Sequence, residues 1–181
     1  ASFNRAVIWL VGKTPFVQWV ARRLIESGAR PAILSRGYGA TGGDRKNDET
    51  LMLEADLPGV AHYADPDRVR SAARAVEGGA DCLVLDDGFQ HIRLRRDLNI
   101  VLLDATDPFG GGRMLPVGLL REPLSALRDA DAVILSHADS AVQAEREVIR
   151  IRLQRYFDGP VAEAHHRPVG VLTPDGDKPP D

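Results

Sequence analysis

"LVGKTP", residues 10–15, ends like a nucleotide-binding loop and does not begin like one. Gly12, Lys13 and Thr14 fill the last three positions of G-x-x-x-x-G-K-[ST], where backbone N–H groups wrap phosphates and the lysine neutralises them. The first glycine of that pattern falls on Val7, and residues 7–11 read Val-Ile-Trp-Leu-Val. Bulky and β-branched side chains resist the left-handed and nest conformations open to glycine. The run reads as a first strand leading into a phosphate-binding turn. Phe3, Val7, Leu10 and Val11 also fall at helical spacing, and periodicity over so short a window does not separate strand from helix.

Downstream, β-rich runs alternate with helical patterns, the signature of βαβ units on a mostly parallel sheet with helices on both faces. A helix is predicted over Pro15–Ser27, with Val17, Val20, Ala21, Leu24 and Ile25 on one face and a stop at Gly28. Ala32–Ser35 is the next strand, followed by a glycine-rich loop over residues 36–47. Asp48 then reads as the N-cap of a helix ending before Pro58, and Asp65-Pro66 as the capped start of another that Gly78-Gly79 ends. Cys82–Leu85, Ile100–Leu103 and Ala132–Leu135 are continuous apolar runs, as expected of strands covered on both faces. Residues 104–123 form a long polar and glycine-rich connection, of the kind that usually carries function. In the helix near residues 140–157, Val142, Ile149, Leu153, Tyr156 and Phe157 form the expected core stripe. The pattern predicts a P-loop-like lobe over residues 1–172 and a linker or tail over residues 173–181.

The totals set outer limits. The 181 residues are 44% hydrophobic and 27% charged, and the net charge is −3. One domain with a full core fits that length, and no strong positive field recruits nucleic acid. A single cysteine, Cys82, rules out an internal disulfide and a multi-cysteine zinc site, and its apolar neighbours make it a small buried hydrophobe. No apolar stretch approaches the ~18 residues of a membrane span and no signal peptide opens the chain, so any membrane contact is expected to be peripheral.

"CLVLDDGFQH", residues 82–91, carries the second chemical signal. Four apolar residues ending in acid place Asp86 at the carboxyl end of a central strand, where open α/β sheets bind ligands. In phosphoryl-transfer proteins an acid there holds Mg²⁺. The pattern alone is weak, since Leu102-Leu103-Asp104 repeats it and a cap or turn is the plain reading of Asp86 and Asp87. Two adjacent carboxylates repel without a compensating cation, which favours the metal reading. Arg93, Arg95 and Arg96 read equally as phosphate contacts and as exposed charge, and Arg121 beside Glu122 as a local ion pair. His91 reads as a loop residue, and His165-His166 lacks the partners of a metal site.

Taken in order, "GKTP", "ILSRGYG", "NDE", "LVLDDGFQH", "LRRDLNIVLLD", "LPVGLLREPL" and "DADAVILS" resemble the tetraacyldisaccharide 4'-kinases, the lipid A 4'-kinases, from about Gly12 to about Leu172. The resemblance implies ATP- and Mg²⁺-dependent phosphorylation of the 4'-hydroxyl of a lipid disaccharide 1-phosphate. It implies a peripheral enzyme at the cytoplasmic face of the bacterial inner membrane, with no nucleic-acid partner. Gly12, Lys13 and Thr14 would form the nucleotide site, Lys13 on the β/γ-phosphates and Thr14 on Mg²⁺. Asp86 and Asp87 match the family's metal-holding acids, and Glu122 matches an acid near the metal. Arg121 would sit close to the phosphates, and Asp48 would help deprotonate the acceptor hydroxyl. His91 matches the histidine of DDGFQH, near the substrate.

Two departures accompany this match. Asn47 stands where the family has glycine, and the glycine-rich start of the loop is missing. The resemblance predicts loop residues between Val11 and Gly12, a C-terminal lobe supplying a histidine partner for Asp48, and an amphipathic N-terminal membrane segment. A non-catalytic nucleotide-fold module, or a relic of the kinase, is the alternative. A P-loop GTPase is disfavoured, because no N-K-x-D stretch occurs.

Overall fold

The computed structural model describes residues 7–11, 14–35, 53–86, 94–120, 122–165, 171–173 and 176–178, with the backbone alone at 7–11, 171–173 and 176–178. The chain forms two compact units, Ala1–Leu102 with Asp129–Val133, and Leu103–Arg128 with Ile134–Asp181.

The first unit holds β1 (Val7–Val11), α1 (Thr14–Glu26), β2 (Pro31–Ser35), β3 (Ala61–Ala64), α2 (Arg68–Glu77) and β4 (Cys82–Asp86). It also holds most of β5 (Leu98–Asp104). β1 pairs in parallel with β4 and β5, and β2 with β3 and β4. With β6 (Ala132–Ser136) and β7 (Val161–Glu163), the strand order is β3-β2-β4-β1-β5-β6-β7. Residues 7–11 are therefore a strand, which settles the helical alternative for that stretch.

Side-chain alternation explains why helices cover both faces. Ile33, Cys82 and Val84 point to one face and pack with Val17, Val20 and Ala21 of α1, together with Leu53 and Leu57. Ala32, Leu34, Leu83 and Leu85 point to the other and meet Ala72 and Ala75 of α2. A strand buried on both faces has no polar position to alternate, so β2 and β4 read as unbroken apolar runs. Each fully buried Leu, Ile or Val here contributes roughly 1.5–3 kcal/mol. Ile25, assigned to the core stripe of α1 by spacing, is 45% exposed at its edge.

Helices α1 and α2 stop where a left-handed glycine closes the last turn. Gly28 has φ +86°, its N–H donates to the Ile25 carbonyl, and the Ala29 N–H reaches back to Leu24. Gly79, with φ +93°, and Ala80 close on Val76 and Ala75 in the same way. The start of α2 differs from the sequence expectation. Its N-cap is Asp67, whose carboxylate accepts from the N–H groups of Val69 and Arg70. Asp65 accepts from the Asp67 N–H at 2.8 Å and pairs with Arg70 instead. Asp67 is the residue in extended geometry whose carboxylate reaches the first-turn N–H groups, so the cap falls after the proline.

In the second unit, α3 (Gln143–Leu153) buries Ile149 and Leu153, and Phe157 lies buried beyond its end. Val142, expected on that stripe, is 64% exposed. It sits at the N-cap, where its N–H donates to the Glu145 carboxylate at 3.0 Å. Arg146 and Arg150 both pair with Glu163 of β7, at 3.2 and 3.0 Å. Leu135 accepts from the Ala164 N–H, which ties β7 to β6. Residues 171–173 and 176–178, partly within the stretch read as linker, form an antiparallel pair. Among the described residues no helix is long and apolar enough to cross a membrane.

Candidate functional site

Two of the predicted groups are placed by neighbouring strands. In the β1–β4 ladder Leu10 lies opposite Asp86, so β1 ends beside the carboxyl end of β4, one residue before Gly12-Lys13-Thr14 in sequence. Thr14, partly buried, opens α1, whose first turn carries no acid. A helix N-terminus directs unpaired N–H groups and the positive end of its dipole at an anion. Asp86, also partly buried, is fixed from below. Arg68 is 2% exposed, and its Nη2 donates to the Asp86 carbonyl at 2.9 Å. Nothing in the sequence distinguishes Arg68 from the exposed arginines of the same helix, so this anchor is legible only in three dimensions. Gly12, Lys13, Asp48, Asp87, His91 and Arg121 lie outside the described residues, as do Arg93, the SRGYG loop beyond Ser35, and His166.

The other acids at strand ends serve local turns. Asp65 follows β3, and the Asp67 N–H holds its carboxyl below the usual range against the opposing effect of burial, with Arg70 adding to the shift. Asp104 ends β5 within the second unit. It accepts from the Thr106 N–H at 3.0 Å, the Thr106 hydroxyl at 2.7 Å and His137 Nδ1 at 3.0 Å. Burial raises its pKa, but the Thr106 contacts and His137 outweigh burial and hold the carboxyl at about 2. The second apolar run ending in Asp is thus a turn cap with a histidine partner. Its stabilising effect is complete above the ordinary carboxyl pKa of 3.8 and is lost as pH falls towards about 2. Asp104→Asn is expected to flatten that acid limb of the stability curve, read by urea unfolding at stepped pH. An unchanged limb would show that Asp104 keeps an ordinary pKa.

Glu122 belongs to the second unit, partly buried ahead of the 3₁₀ segment Leu124–Asp129. His165 Nδ1 stands 3.9 Å from Asp139, and among the described residues no cluster of three metal-binding side chains forms. Cys82 is buried and its thiol is pushed up to about 11, which suits packing and not nucleophilic chemistry. A cavity of about 350 Å³ opens in the first unit between Ile25, Arg30, Pro31, Val60, Ala61 and Gly79. Those residues flank the amino ends of β2 and β3, opposite the strand ends that carry the site, so the cavity is no part of it.

Comparison with known proteins identifies the family. The family model "Tetraacyldisaccharide-1-P 4'-kinase" matches residues 11–174. A tetraacyldisaccharide 4'-kinase of Anaeromyxobacter sp. (strain K) is 49% identical over 189 residues, covering 94% of this chain and 50% of the relative. The chain spans about half the length of the curated relatives it matches. Among solved structures, an Aquifex aeolicus LpxK in complex with ATP superposes with a TM-score of 0.67 at 32% identity, over 88% of this chain and 54% of that one. The signal recognition particle receptor FtsY from Elizabethkingia anophelis reaches a TM-score of 0.61 at 16% identity, over 91% and 59%, a likeness of fold alone.

Proposed function

We propose that this chain, which belongs to the tetraacyldisaccharide-1-P 4'-kinase family, is the nucleotide-binding half of an enzyme that phosphorylates the 4'-hydroxyl of a tetraacyldisaccharide 1-phosphate with ATP. The observation that carries the reading is the β1–β4 register, with Leu10 opposite Asp86, because it sets the strand before the GKT turn beside a strand ending in acid. The donors suit the ions involved. Thr14 and Asp86, with Asp87 and Glu122, are hard oxygen ligands of the kind Mg²⁺ takes, and the α1 N-terminus suits phosphate. When bound, Mg²⁺ neutralises charge on the β- and γ-phosphate oxygens.

The chain's own residues divide the remaining work. Lys13 and Arg121 hold the phosphates and balance charge as it shifts onto the leaving group. Asp48 takes the proton from the 4'-hydroxyl, a poor nucleophile until it is positioned and relieved of that proton. His91 stands near the sugar and orients it. Alignment of hydroxyl and phosphate supplies much of the rate, since a loose phosphoryl transition state offers little other chemistry to the protein. Family membership supports a peripheral enzyme at the cytoplasmic face of the inner membrane, where a lipid acceptor is within reach.

Mg-ATP at about one hundred times its Kd is expected to stabilise the intact protein by about 2.7 kcal/mol, a rise of roughly 5–10 °C in Tm. Lys13→Ala is expected to remove the rise and leave the Tm of the nucleotide-free protein in place, as read by differential scanning fluorimetry. A rise that survives the substitution puts ATP elsewhere. No rise in the parent protein would place the chain with the non-catalytic nucleotide-fold modules, as Val7 at the first glycine position suggests.

A further inference from the structure

The segment 113–120 of the second unit presents apolar side chains that the fold leaves uncovered. Leu115, Val117 and Leu119 are 56%, 72% and 71% exposed, and Met114 is 42% exposed. The backbone beneath them is closed on itself. Leu115 N–H donates to the Leu120 carbonyl and Leu120 N–H to that of Arg113. Val117 and Gly118 both donate to Met114, and Leu119 donates to Gly110. Pro116 has no N–H, so every donor from residue 115 to residue 120 is paired within the loop. A Cβ on Gly118 would collide with the Arg113 carbonyl, so glycine is what allows the turn to close. Burying peptide groups away from water is costly only when they lack partners. A tip with apolar side chains and a self-satisfied backbone loses little on leaving water.

Cations border this tip. Arg113 is exposed at its base, and the Arg152 guanidinium lies over the Phe109 ring at 4.1 Å, beside Gly112. Asp107 accepts from the Gly111 N–H at 3.3 Å. Arg121 and Glu122 follow the tip directly in sequence.

We infer that the 113–120 tip enters the acyl layer of an anionic phospholipid surface, with Arg113 and Arg152 at headgroup level, and seats the enzyme where its acceptor lies. The inference rests on the lipid-kinase reading. Its argument is the match in layering, since the family's substrate is tetraacylated and carries a 1-phosphate. Apolar chains beneath phosphates are the complement of an apolar tip above arginines.

Flotation of the intact protein with vesicles of phosphatidylethanolamine and phosphatidylglycerol tests the inference. Val117→Ser with Leu119→Ser is expected to weaken partitioning by about tenfold or more. Val148→Ser with Ile151→Ser, which removes side chains 64% and 54% exposed on α3, is expected to change nothing. Arg113→Gln is expected to cost roughly fivefold on anionic vesicles and nothing on phosphatidylcholine. Parent-like flotation of both the serine pair and the Arg113 variant would overturn the inference. So would a lowered Tm of the serine pair with flotation intact, which would mean that the rest of the polypeptide or a second copy covers the tip. A parent protein that floats yet shows no Mg-ATP stabilisation would count against the kinase reading and leave the lipid surface standing.

Discussion

Asp86→Asn is expected to lower phosphoryl transfer by the intact protein about 10²- to 10³-fold, the usual cost of removing one preorganised charge-stabilising group. Asparagine keeps the size of the side chain and one of its oxygens, and the Arg68 bond to the Asp86 carbonyl involves the backbone alone. The strand end should therefore hold its shape, with Tm within about 2 °C of the parent. What is lost is the negative charge facing a cation, so the defect should lie in Mg²⁺ dependence. The assay is phosphate transfer to detergent-dispersed lipid acceptor across a Mg²⁺ titration. Parent-like activity at ordinary Mg²⁺ would remove Asp86 from the metal site.

Asp48→Ala carries the second large effect, about 10²- to 10⁴-fold in transfer, the range for a positioned general base. A base acts on the hydroxyl in the transition state and makes no contact with ATP. The Mg-ATP-dependent rise in Tm should thus equal the parent's while kcat falls. Loss of both together would identify Asp48 as the N-cap of its helix, whose removal typically costs about 1 kcal/mol and disturbs the fold instead of the chemistry.

The strands that position the site are also the ones that declare themselves in sequence. β2 and β4 are covered on both faces, so each reads as a continuous apolar run, and β1, paired between β4 and β5, reads the same way. β3 and β7, at the two ends of the strand order, did not declare themselves. Ala61-His62-Tyr63-Ala64 and Val161-Ala162-Glu163 are short and mixed, because a strand with one unpaired edge buries less. Asp86 and Asp104 look alike as text, each closing an apolar run, and differ only in their surroundings. Thr106 and His137 bind the second, whereas the register of β1 sets Leu10 opposite the first. The Arg68 anchor left no trace in sequence, since burial of a guanidinium depends on what passes over it. The roles of Lys13, Asp48, Asp87, His91 and Arg121 come from family resemblance, because a loop residue's chemistry has no periodicity to reveal it.

The pairing of β1 has a consequence for biosynthesis. Ile8 finds its partners far along the chain, Val84 on one side and Leu98 on the other. At about 5–20 residues per second, translation of the intervening stretch takes on the order of 5–20 s. Through that interval the strand before the phosphate turn has both edges unsatisfied, and so has nothing to hold the turn in shape. Nucleotide therefore has no site to bind on the nascent chain, and ATP cannot template the fold around itself. The middle of the sheet closes late, and the apolar β1 segment must stay soluble until it does, which is the situation that chaperones attend.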